Sequence, residues 1–178
     1  TKLRLFYESY KILIFSLLIL TIISFVSFNF YAQHKEKKKI LISEKFFQAK
    51  VYIENKDNHK AVNTLKEIIF DNDATYSTLS LFIIINQNLI GDREEILSLF
   101  DHILSNNKHE KEMEDLIIYK KALFNSSFVD EIELLKTLKP ILANDNLWRP
   151  HALILLGDYF VSKKVACARH AGFRVRSQ

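Results

Sequence analysis

The stretch AKVYIENKDNHKAVNTLKEIIFDND, residues 49–73, decides how the rest of the chain is read. Its centre, Asn55-Lys56-Asp57-Asn58, is a cluster of turn-forming residues. After it, Ala61, Val62, Leu65, Ile68 and Ile69 recur at i, i+1, i+4, i+7 and i+8, which places one apolar stripe along a helix with the charges opposite. Before it, Ala49 and Tyr52 lie on a helix that runs up to the turn. Two helices joined by so short a link form an antiparallel hairpin.

The same pattern returns further along. Ile96, Leu99, Phe100, Ile103 and Leu104 make a second stripe, and Leu134, Leu135, Leu138, Ile141 and Leu142 a third. Between them, near 79–90 and 113–124, lie helices apolar on most sides, as expected of helices packed on most sides. Gly91-Asp92, Asn125-Ser126-Ser127 and Asn144-Asp145-Asn146 punctuate the series. Ala49, Ile84, Ala122 and Gly157 take equivalent places in four first helices, separated by 35, 38 and 35 residues. Twelve residues after the first three come Ala61, Ile96 and Leu134; sixteen after come Leu65, Phe100 and Leu138. This spacing resembles the tetratricopeptide arrangement, in which a small or apolar residue marks the crossing of two helices and a larger one packs onto the next unit. The expected fold is all-α: a solenoid of α-α hairpins, about three repeats plus one helix. The copies depart from the motif where the second-helix small residue becomes Ile96 and Leu134, and where Asp or Asn replaces a terminal proline.

Composition agrees with long helices, since 178 residues contain only 3 Gly and 2 Pro. Charge is unevenly spread. Residues 1–45 carry eight Lys/Arg against three Asp/Glu, whereas 46–164 carry fourteen against eighteen. A domain that is itself mildly acidic is not built for nucleic acid. From Val165 the chain reads VACARHAGFRVRSQ, with three arginines and the one cysteine, Cys167. Residues 165–178 are therefore read as an atypical tail, the product of a truncation or frameshift, and the natural start is expected to precede Thr1.

Residues 12–31 form the other distinctive segment. No charge falls between Ile12 and Phe28, and the interruptions are hydroxyl residues. About 20 such residues rise about 30 Å as a helix, enough to cross a bilayer. Tyr7, Tyr10, Phe30 and Tyr31 stand where interfacial aromatics belong. Bulky Phe30, two residues before a cut after Ala32, argues against a cleaved signal peptide. The sequence thus predicts a flank over 1–11, a transmembrane helix over 12–31 contacting the lipid bilayer, and a repeat domain over 32–164. The lysines at 35, 37, 38, 39 and 45 alone would place that domain in the cytoplasm.

No residue pattern for chemistry emerges. There is no Gly-rich phosphate loop and no HExxH motif. His102 and His109 are seven apart, but His109 falls in a polar connector and the default is solvation. Glu110, Glu112, Glu114 and Asp115 lack the spacing of a calcium loop and suit a helix start. The sequence therefore predicts no catalytic residue, no cofactor, no metal and no small-molecule substrate. Trp148 has two readings, an anchor in a protein-binding surface or a large residue packed between hairpins.

An anchor, a lysine-rich helix and degenerate helix pairs, together with DLIIYKKALF (115–124) and LKPILANDNLWRPHALILLGDY (138–159, with Trp148-Arg149 opening the next first helix), are similar to the YfgM-like family of bacterial inner-membrane proteins, in its alphaproteobacterial form. The resemblance implies a single-pass inner-membrane protein with a periplasmic repeat domain. It also implies partners among translocon, chaperone or other envelope proteins. The alternative is a sensor or regulatory fragment of a larger membrane signalling protein or enzyme.

Overall fold

The computed structural model describes the backbone of residues 2–143 and 145–175, and the side chains of 16, 19–25, 36–143 and 145–165. The described residues form helices and no strand. In chain order these are α1 (Lys2–Glu54), α2 (Asn58–Phe70), α3 (Ala74–Asn86), α4 (Arg93–Asn106), α5 (Lys111–Asn125), α6 (Glu131–Leu142) and α7 (Arg149–Val175).

Aspartates start most of these helices. Asp57 accepts from the Lys60 N–H, Asp92 from Glu94 and Asp130 from Glu133, while Asp73 accepts from both Thr75 and Tyr76. Each carboxylate satisfies N–H groups that have no partner within the first turn. Asn146 does the same ahead of α7, its Oδ1 accepting from Trp148 and Arg149. Asp73 also explains where α3 begins. The apolar run predicts a helix near 79–90, but the cap starts it at Ala74 and it stops at Asn86, followed by Asn88 with φ 49°. Lys56 (φ 61°) and Asn72 (φ 57°) close α1 and α2 in the same left-handed way without a glycine.

Successive helices pack on one another, and α1 on α3, α2 on α4 and α5 on α7. The core falls into two clusters. One is centred on Ala49, Leu65, Leu81, Ile84 and Phe100, the other on Ala122, Leu134, Leu138, Ile141 and Ala152. Leu104 of α4 packs against both. Small residues let α3 approach α2 closely: Ser77 is fully buried and its hydroxyl donates to the carbonyls of Ile68 and Ile69, each at 3.1 Å. At the far end the Tyr159 hydroxyl donates to the Val129 carbonyl at 3.1 Å, tying α7 to the α5–α6 link.

One expectation is corrected. Among the described residues no helix is long and apolar enough to cross a membrane, which conflicts with a single-pass inner-membrane protein. Within 12–31 only Ser16 and residues 19–25 have described side chains, all of them exposed. The other side chains of that segment, and those of the tail beyond Val165, lie outside the described residues.

Candidate functional site

The residues singled out by spacing occupy distinct environments. Ala49, Ala61, Leu65, Ile84, Phe100 and Leu138 are fully buried, and Ala122, Leu134 and Ile96 nearly so. Tyr52 is half-buried, and its hydroxyl accepts from the Gln48 amide at 2.9 Å. Gly157 is exposed, and a Cβ built on it would meet nothing within 4 Å. Trp148 is half-buried and stacks on Tyr119 of α5, with ring centroids 5.7 Å apart and planes 25° apart, while the His151 ring stands 5.2 Å from Trp148 and 6.0 Å from Tyr119, completing a three-ring cluster.

The most site-like concavity lies elsewhere, between α3 and α5. Thr75, Leu79 and Phe82 line one wall, Met113 and Leu116 the other, and Lys108, His109 and Glu110 of the α4–α5 link form the rim. Its volume is about 460 Å³. Leu79 and Met113 are 42% and 41% exposed, so the groove keeps apolar surface in water that burial against a partner would remove. The Lys120 ammonium lies 5.9 Å from the Phe82 ring centroid, adding a cation beside the apolar wall. The buried Nε2 of His109 has no hydrogen-bond partner.

The α5 wall is held from its first turn. Asp115 is fully buried, and Lys111, one turn earlier, reaches its Oδ1 at 3.0 Å and Glu114 at 3.2 Å. The Lys111–Asp115 contact is an ion pair without hydrogen-bond alignment, since both Asp115 oxygens lack a hydrogen-bond donor. The carboxylates, Asp115 foremost, hold the Lys111 ammonium above its usual pKa. Glu110 precedes α5 without making a side-chain cap, so Lys111 and the acidic residues that follow organise this end.

The sequence spacing did not single out the groove. Leu79 with Phe82, and Met113 with Leu116, recur at i and i+3 on a side of each helix away from the core stripe. The visible signal was only that these helices carry more apolar residues than one stripe needs. Chemically the groove offers apolar surface, one unsatisfied imidazole nitrogen and flexible charges. Among the described residues no group of three or more His, Cys, Asp or Glu comes together as a metal site.

No family model, curated protein or solved structure matches the chain.

Proposed function

We propose that this chain is a protein-binding scaffold built of tetratricopeptide-like helix pairs, which docks a partner polypeptide in the α3–α5 groove and performs no catalysis. The observation that carries this reading is the half-exposed apolar wall of Leu79, Phe82, Met113 and Leu116 between two first helices. Among the described residues every substantial helix–helix contact joins neighbouring or next-neighbouring helices, which supports a solenoid over a closed bundle, because a row of hairpins packs mainly on what precedes and follows it. The YfgM-like resemblance supports partners in protein export or chaperoning. Apolar side chains of such a partner would fill the groove, with Lys108 and Lys120 steering acidic neighbours.

Site-specific photo-crosslinking in the native host tests the reading. Crosslinkers at Leu79 and Met113 should each yield an adduct with one export or chaperone protein, while one at Phe70, exposed on α2 outside the groove, should not. Absence of any protein adduct from both groove positions rejects it.

A further inference from the structure

Helix α1 carries two apolar stripes, and the fold uses one of them. Ile42 and Ala49 are buried on the side that meets α2 and α3, and Phe46 and Ile53 pack there against the core. On the opposite side Ile40, Phe47 and Val51 recur at i, i+7 and i+11 and are 54%, 60% and 50% exposed. Glu44 takes the place between Ile40 and Phe47, and Lys37 and Glu54 extend the same line at either end, all three exposed. The residues that lead into this stripe do not fold over it, because α1 is a single helix from Lys2 to Glu54. At about 1.5 Å per residue, Lys2 stands about 57 Å along the axis from Ile40. The stripe is therefore open for a reason other than the extent of the chain.

The spacing and the charges of this line say what fits it. Positions 37, 40, 44, 47, 51 and 54 alternate by three and four, the seam of a two-helix coiled coil. A parallel copy of the same helix would set Lys37 on Lys37, Glu44 on Glu44 and Glu54 on Glu54, and like charges repel. The antiparallel alignment that sets Ile40 on Val51 of a second copy also sets Lys37 on Glu54. It brings Glu44 to Phe47 of the second copy, a ring with the Lys50 ammonium 5.9 Å from its centroid. Every charge on the line then meets an opposite one, and two-fold symmetry repeats each pairing. The line is thus complementary to its own reverse, a property that selects a second copy over an unrelated protein. We propose that two copies of this chain pair antiparallel through the Lys37–Glu54 face of α1. The surface is separate from the α3–α5 groove and its test does not depend on that groove.

Sedimentation equilibrium of the full chain should give a dimer. Phe47→Asp with Val51→Asp should weaken it about tenfold or more. Both side chains are exposed, so circular dichroism should match the parent. Lys37→Glu should weaken the dimer several-fold, and Lys37→Glu with Glu54→Lys should restore it. These two residues lie about 25 Å apart along one helix, so the rescue reports contact between copies. Orientation is read in Cys167→Ser chains with a short bismaleimide crosslinker. Ile40→Cys mixed with Val51→Cys should crosslink, whereas Ile40→Cys alone should not. A monomer, a dimer indifferent to the Phe47/Val51 pair, a charge exchange without rescue, or crosslinking of Ile40→Cys alone as readily as of the mixture overturns the proposal. So does a photo-crosslinker at Phe47 in the native host that captures a different protein and no second copy.

Discussion

The middle of α3 and the middle of α7 are written in similar language and live in different surroundings. Leu81 and Ile84 are sealed beneath neighbouring helices; Ile154, at the place equivalent to Leu81, is 64% exposed, and Gly157, at the place equivalent to Ile84, borders open space. An apolar stripe is a demand for cover, and whether the demand is met depends on what the chain places next to it. For α3 the neighbours are α1, α2 and α4. For α7 they are α5 and α6 on one side only. The difference separates burial from exposure: covered stripes hold the fold, while the described residues on this face of α7 keep apolar surface in water.

Truncating one residue from each region tests this most strongly. Phe100 is fully buried in the cluster that covers α3, with the Phe124 ring centroid 6.4 Å away. Phe100→Ala should destabilise the domain by about 3–5 kcal/mol, through lost transfer energy and the cavity left behind. Ile154→Ala should change stability by no more than about 0.5 kcal/mol. Urea denaturation of the two variants measures both. Equal losses would mean that α7 is covered in solution and that the contrast is false.

That contrast also marks what could be read from the residues. The periods of Leu65, Phe100 and Leu138 located α2, α4 and α6, because burial of a stripe is a local demand that spacing records. The link at Asn55–Asn58 was legible because its residue types disfavour helix continuation. The groove was not, since it depends on how far apart α3 and α5 stand, and that separation is set by side-chain volumes between helices. The exposure of Gly157 was equally hidden: a small residue at a crossing and a small residue facing open space look alike in sequence. The start of α3 was missed because Asp73 caps from a position where apolar periodicity has not yet begun.

A cap at the buried end of the comparison ranks next in effect. Asp73 accepts from Thr75 and Tyr76 at 3.1 and 2.9 Å, starting the helix that carries Leu81 and Ile84. Asp73→Ala should cost about 1 kcal/mol. Hydrogen exchange should show the loss first in the opening turn of α3, ahead of α7. Protection lost uniformly across both helices would instead indicate that the cap acts on the whole fold.

At the open end the expected effect reverses sign. Gly157 sits inside α7 with nothing within 4 Å of a built Cβ, so Ala would meet no neighbour there. Gly157→Ala should stabilise the protein by about 0.5–1 kcal/mol, because glycine loses more backbone freedom in a helix than alanine does. Thermal unfolding is the measurement. Destabilisation would reveal a close neighbour at Gly157 in solution and would erase the distinction from Ala122.

The smallest effect concerns the turn that sets α2 against α1. Asp57 and Lys60 are paired at 2.8 Å, and Asp57 also accepts the Lys60 backbone N–H. The Lys60 side chain is the main reason the Asp57 pKa falls below its ordinary 3.8; reciprocally, Asp57 raises that of Lys60 above 10.5. The folded form of a carboxylate with a lowered pKa gains stability above its unfolded value and loses it as pH falls through the folded one. The lysine contributes below its unfolded value and loses that contribution as pH rises through its raised one. Asp57→Asn should therefore give a slightly lower urea midpoint than the parent near neutrality, and the gap should close below pH 3.8. Both groups are exposed to solvent, so added salt should shrink the neutral-pH gap as well. A gap that persists unchanged in strong acid would assign the contribution of Asp57 to its hydrogen bond at the start of α2 and not to its charge.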